Sequence, residues 1–544
     1  MGEAATSSQV RELIRRAVAL HRDGRLGDAE ARYRQALASD PANPDALNLL
    51  GVLIAQRGRP AEAVALIREA IAARPGVADY HCNLGHVERM RGEAAAAEAA
   101  YREALGCSSG GPSGGAAAPA LGVMLTEAGR LDEAVEVYRD ALRAEPELPD
   151  LWFNLSAALN QQGRLSEAEE ALRRVIALRP DDVAAYANLA MLMLKCARVD
   201  AAVEASKRGL AVDPKSAQLH FGLGRALKRA GDFRAAAEAF RSALDCDPSL
   251  AGARSSLIRV LRLAGDLDDA VAAGRDAASA DAPSLVDAEL GLALAGLGRF
   301  EEALAAFERG VAKDPRQVTC HAEMGWLLRR LGREAEARRV LDFDRLAACE
   351  PVAGVPGYAS VERFNRELAA YILARPDLVE DLPETATQGG GQTSTLFSDP
   401  APLPQALKGV IERACRGYVE RHRGAGGPAF FDAPPSRWFL NSNAVVLRSG
   451  GYQDAHMHPA GYVSGVYYVQ VPEEVAGGGG EAGCLYFTDK ERSAAEAQAH
   501  ALRVIRPEAG LMLLFPSYFW HGVMPFEGAR ERICVAFDVI PASS

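Results

Sequence analysis

Three short stretches hold the residues best suited to chemistry: Asp454-Ala-His456-Met-His458-Pro, Phe515-Pro-Ser-Tyr-Phe-Trp-His521 and Arg532-Ile-Cys-Val-Ala-Phe537. His456 and His458 are separated by one residue on an expected strand, where side chains alternate, so both imidazoles face one way. His521, about sixty residues later, ends another apolar run and precedes a turn. Three imidazoles brought together make a nitrogen-rich site for a first-row metal. Arg532 would place one guanidinium in the same pocket.

Positioning these groups is the task of the C-terminal third. From Arg437 onward, β-branched and aromatic runs alternate with Gly-rich turns: Trp438 to Leu447, Val463 to Val471, Cys484 to Phe487, Leu511 to Phe515 and Arg532 to Ile540. Short strands of this kind predict a β-sandwich or jelly roll with helices packed outside. Those helices are expected at Phe364 to Leu373 and Leu403 to Arg421, with Ala386 to Gln392 a loop rich in Gly, Thr and Gln. Gly477 to Gly480 reads as a turn, because no helix follows it to hold a phosphate.

Residues 9–346 follow a different rhythm. Glycines at 24, 58, 92, 129, 163, 231, 265, 298 and 332 mark turns between helices at a step of 34 residues almost throughout, with Ala197 in the same register. Prolines at 41, 75, 146, 180, 214, 248 and 315 close the second helix of each pair, since Pro cannot continue a helix. Small and aromatic residues recur together, as in Ala134/Tyr138/Ala141 and Ala236/Phe240/Ala243. The period and pattern resemble the tetratricopeptide repeat over about ten helix pairs. That resemblance implies a right-handed superhelix with a concave groove for a protein or peptide. Asn83, Asn154 and Asn188 stand nine residues before the turn position and resemble a short asparagine ladder, a device that holds an extended polypeptide by its amides. Ser108 to Ala118 breaks the step and is expected to be a surface loop.

The order of motifs after residue 350 adds a second resemblance. His-x-His, a strand with Tyr467-Tyr468, Gly483-x-Leu-x-Phe487, Pro507-x-x-Gly510 before an apolar strand, then His521 and Arg532, resembles the double-stranded β-helix of 2-oxoglutarate- and iron(II)-dependent oxygenases of the prolyl-hydroxylase-like branch. In that family two histidines and a carboxylate hold Fe(II). His456 falls on the first ligand and His521 on the distal one. Arg532 falls on the arginine that pairs with the far carboxylate of 2-oxoglutarate, and Tyr468 could add a phenolic hydrogen bond to it. A planar guanidinium grips a carboxylate bidentately in a way a Lys does not. Cys534 stands where many relatives have Ser.

The chain departs from the family where His458 takes the place of the carboxylate. Three readings stay open: three imidazoles hold the iron, only two ligands do, or the register shifts and Ala460 marks an absent carboxylate. Asp454 is a fourth candidate. The three-histidine set ranks first.

The expected architecture is therefore multidomain: an all-α tetratricopeptide superhelix, 9–346, followed by a double-stranded β-helix (jelly roll) with flanking helices, 347–544. The expected function is a hydroxylating oxygenase using Fe(II) and 2-oxoglutarate, with no catalytic residue separate from the metal site. A scaffold with a degenerate oxygenase domain, or a cupin-type metal enzyme, are the alternatives. A formal charge of −11 argues against broad nucleic-acid binding, which rests on Lys and Arg neutralising phosphates. There is no run of about eighteen apolar residues to span a membrane. Nine scattered cysteines without a C-x-x-C pair suit a reducing compartment, and the cytoplasm is the expected location.

Overall fold

The computed structural model describes residues 2–107, 116–250, 252–277, 282–380, 386–424, 428–490 and 492–542. The chain divides into two compact units, Met1–Ser249 and Leu250–Ser544.

The first unit is a run of helices from Gly2–Arg22 to Phe233–Cys246, paired in sequence. Each pair turns on a residue with left-handed backbone, such as Gly58 (φ 78°) and Gly163 (φ 77°). Ala197 keeps that conformation at φ 57°, the one non-glycine with positive φ among the described residues. In several pairs a small residue of the first helix faces a ring of the second: a Cβ on Gly85 would lie 2.6 Å from the ring of Tyr101, and one on Gly224 would lie 2.7 Å from that of Phe240. The prolines do more than end helices. Their carbonyls accept ring N–H groups six residues on, from His81 to Pro75 at 2.8 Å, Trp152 to Pro146 at 2.8 Å and His220 to Pro214 at 3.0 Å. Of the loop expected at Ser108 to Ala118, residues 108–115 lie outside the described residues, and Ala117 and Ala118 are already buried in the helix Ala117–Glu127.

The second unit opens with three more helix pairs, ending in Val318–Arg330 and the short Glu334–Val340. Strands follow: β1 Ala348–Pro351, β2 Val379–Glu380, β3 Thr387–Gln392, β4 Trp438–His456, β5 Val463–Gln470, β6 Leu485–Thr488, β7 Arg503–Ile505, β8 Leu511–Pro516, β9 Trp520–Val523 and β10 Arg532–Pro541. They form one antiparallel, curled, jelly-roll-like sheet in the order β1-β8-β5-β10-β4-β9-β6-β7, with β3 joining β4 to β2. The helices Val361–Leu373 and Pro402–His422 pack on it as expected.

The strands differ from the sequence pattern at two places. The segment Ala386 to Gln392 is not a loop: Thr387–Gln392 is a strand paired with β4. Its glycines serve close approach, since a Cβ on Gly390 would lie 2.2 Å from the Val446 carbonyl oxygen. β4 is also much longer than Trp438 to Leu447. It runs on to His456 through the positive-φ Gly450, and its last residues pair with β9.

One apolar core runs through the last helix pair and the strands, from Val318, Ala322 and Phe343 to Phe364, Leu513 and Phe515. His321, on the helix Val318–Arg330, stacks on Tyr518 with ring centroids 5.0 Å apart and meets Phe430 edge-on at 5.3 Å. Phe343 lies 4.6 Å from the ring of Phe519. Among the described residues no helix is long and apolar enough to cross a membrane.

Candidate metal centre

His456 ends β4 and stands opposite His521 of β9 as a cross-strand pair. His458 follows just beyond the strand, where its main-chain N–H donates to the Ser517 carbonyl at 3.1 Å. The three rings converge, with centroids 4.5 Å apart for His456 and His521, 5.2 Å for His456 and His458, and 5.1 Å for His458 and His521. Their ligand atoms all lie within 4.8 Å of one another, which makes this the one His/Cys/Asp/Glu cluster able to hold a metal among the described residues.

In each ring Nδ1 is already engaged. His456 Nδ1 donates to the Asp454 carbonyl at 2.9 Å and His521 Nδ1 to the Phe519 carbonyl at 2.9 Å. His458 Nδ1 bonds the Asp538 carboxylate at 2.7 Å. These bonds set the tautomer and leave Nε2 as the ligand atom. His458 Nε2 is buried with no partner. Burial, reinforced by the neighbouring His458, pushes the His456 imidazole down to about 4, and burial holds His521 well below the ordinary histidine range. Both rings are therefore neutral at neutral pH, with a lone pair to offer.

The histidines line a cavity of about 200 Å³ shared with Arg532, Gln392, Asn443 and Gln453. Arg532 is 1 % exposed, its Nε donates to the Gly483 carbonyl at 3.1 Å, and its guanidinium lies 5.2 Å from the centre of the Tyr468 ring. Among the described residues it has no carboxylate partner. A buried charge without a counterion is costly, so the site fits an anion supplied from outside. Tyr468 hydroxyl is likewise buried without a partner. Arg530, by contrast, is exposed. Cys534 lies beside Arg532, whose Nη1 is 3.7 Å from its sulfur, and burial pushes its thiol up.

Asp454 does not join the cluster, since its carboxylate accepts the Ala494 amide at 2.7 Å. The three asparagines of the repeats belong to the first unit. Asn83 donates to Asn48 Oδ1 at 3.1 Å, while Asn154 is half-buried and Asn188 exposed. Asn48, one position out of that register, is a partner the sequence does not signal. Asp538, Ser464, Gln392, Asn443 and Gln453 also escaped the sequence reading. For Asp538 a signal existed: Arg532, Cys534, Ala536 and Asp538 fall at a period of two on one strand, so they share a face.

Fold and site define a tetratricopeptide array that runs into a jelly-roll domain with a three-histidine centre. Residues 441–538 match the family model described as "Putative 2OG-Fe(II) oxygenase". Residues 14–78 and 289–347 match the tetratricopeptide repeat, and residues 76–288 match the "Cilia and flagella-associated protein 70 C-terminal domain". The chain thus carries tetratricopeptide repeats followed by a C-terminal domain that matches the putative 2OG-Fe(II) oxygenase family.

Among solved structures, a tetratricopeptide repeat protein from Parabacteroides merdae is 15% identical, covering 46% of this chain and 99% of its own, at a TM-score of 0.36. The C-terminal part of a repeat protein from Cytophaga hutchinsonii is 17% identical, covering 45% and 99%, at 0.38. The Naa15/Naa10 complex bound to HypK-THB is 17% identical, covering 62% and 63%, at 0.30. Comparison with curated proteins gave no match.

Proposed function

We propose that the protein is a 2-oxoglutarate- and Fe(II)-dependent oxygenase that hydroxylates a substrate recruited by its repeats. The observation that carries this reading is the shared cavity, where three imidazoles with Nε2 atoms available accompany a buried guanidinium that has no counterion among the described residues. In this reading His456, His458 and His521 hold the iron, which would supply the site for oxygen. Arg532 binds the far carboxylate of 2-oxoglutarate, and Tyr468 adds its hydroxyl. The reaction class consumes one O2 and converts 2-oxoglutarate to succinate and CO2 as one oxygen atom enters a substrate C–H bond. A cupin-type reading has no use for Arg532.

The recruited partner is taken to be a polypeptide. Supporting this are the amide-bearing Asn83, Asn154 and Asn188, and two cavities of about 440 and 520 Å³ at equivalent positions of neighbouring repeats, one lined by Leu142, Trp152 and Leu155, the other by Ile176, Tyr186 and Leu189. Nine free cysteines support the cytoplasm as its location.

Anaerobic titration of the purified protein with Fe(II) and then 2-oxoglutarate tests the enzyme reading. A visible charge-transfer band at one iron per chain is expected, and its loss in His456→Ala and His521→Ala. Unchanged metal content in both variants would end it.

A further inference from the structure

We infer that Asp538, acting through His458, supplies the negative charge that a metal centre of three neutral imidazoles lacks, and so sets the metal affinity of the site. The inference rests on the three-histidine reading above and extends it to a residue outside the ligand set.

The three histidines are not held alike. His456 and His521 each give their Nδ1 proton to a main-chain carbonyl two residues earlier, a neutral and local acceptor. His458 alone is held by a carboxylate, and that carboxylate comes from β10, eighty residues on in sequence. Asp538 is itself fixed. One of its oxygens accepts from His458, and the other accepts the Ser464 hydroxyl at 2.6 Å. The Ser464 hydroxyl in turn meets that of Ser517 at 2.9 Å, and both serines are buried. A carboxylate held this firmly keeps the ring from turning. The Nε2 on the opposite side of that ring is buried and has no partner, so the ring is oriented for something the chain does not provide.

The chemistry follows from charge. An imidazole whose N–H is hydrogen-bonded to a carboxylate is a more basic ligand through its other nitrogen than one bonded to a carbonyl. The usual set of two histidines and a carboxylate brings one negative charge into direct contact with the metal. Here His458 occupies the ligand position and Asp538 stands behind it, so the charge reaches the metal through the ring. Asp538 is a positioning residue in this account, not a ligand, since its contact is to Nδ1.

The test uses full-length apo protein titrated with Co(II) alone, without 2-oxoglutarate, followed by calorimetry and by the visible absorption of the bound ion. Asp538→Asn keeps an oxygen for the His458 N–H and removes the charge. It should weaken Co(II) binding by about 10- to 100-fold and shift the visible bands. His458→Ala should weaken binding at least as much. In His458→Ala/Asp538→Asn the second change should add little, because coupled residues are non-additive.

Co(II) affinity of Asp538→Asn within about two-fold of the parent would overturn the inference, and so would losses that simply add in the double variant. If Asp538→Asn lowers the apo melting temperature, Ser464→Ala decides instead. It loosens the carboxylate without discharging it, so a loss of about three-fold supports the inference and an unchanged affinity overturns it. A parent protein that takes up no Co(II) would refute the metal-site reading itself, which separates that failure from this one.

Discussion

Arg532 is the residue on which cosubstrate binding should turn. It is a buried cation whose main-chain and aromatic contacts leave its charge uncompensated. Truncating one partner of such a charge pair typically costs about 2 to 5 kcal/mol. Arg532→Ala should therefore keep stoichiometric iron yet lose 2-oxoglutarate affinity by tens-fold or more, as read from the charge-transfer band. Arg532→Lys should recover part of that loss, because a point charge lacks the bidentate fork. Loss in Arg530→Ala with none in Arg532→Ala would place the carboxylate on Arg530 instead. The histidines and this arginine were legible because each carries its chemistry in its type and its spacing. Asp538 and Ser464 were not singled out, since their roles depend on partners 80 and 74 residues away that only strand pairing brings near. Asp454, nearer in sequence and of equal parity, was the more visible carboxylate, yet it is spent on the Ala494 amide.

At the scale of elements, the turns of the helix pairs were readable to the residue. The spacing of the pairs is imposed by a turn that needs left-handed backbone and, in several pairs, by a small residue that must face a ring. The exception tests the rule. Ala197 holds φ 57° where the other repeats have glycine, and left-handed backbone costs an L-residue roughly 1–2 kcal/mol. Ala197→Gly should accordingly raise the stability of the first unit by about 1 kcal/mol in chemical denaturation; a neutral or destabilising result would mean that the turn gains something from the methyl group. The strands were less readable at their ends. β3 was missed because Gly389, Gly390 and Gly391 signal a loop by composition, although what they permit is the close passage of one strand across another. β2, β7 and β9 are two to four residues long, too short for alternation to register.

At the scale of the whole molecule, the compact units meet in sequence at Ser249 and Leu250, while the match to the tetratricopeptide repeat runs on to residue 347. The last helix pair is built into the core of the strand-bearing unit through Val318, Ala322, His321 and Phe343. A fragment of residues 347–544 should thus lack a cooperative thermal transition, whereas residues 250–544 should melt as one. A sharp melt of the shorter fragment would contradict this. The same junction carries a pH dependence. Burial pushes the His321 imidazole from 6.5 down to about 4, so between those values the unfolded chain binds the extra proton. Stability is full above about 6.5 and falls as pH drops toward 4, by about 3 kcal/mol from this group alone. His321→Gln should flatten that part of the slope in urea titrations at successive pH values.

The facing of His456 and His521 across one rung of the β4–β9 ladder bears on how folding and metal uptake divide the work. Bringing two candidate ligands together across a long loop has an entropic cost, and in this chain the β4–β9 pairing itself sets the two side by side. Chelation is thus left with little chain to order. Unlike small domains that are unfolded without their zinc, this unit should keep its circular dichroism after dialysis against a chelator. Metal should raise its melting temperature only by mass action.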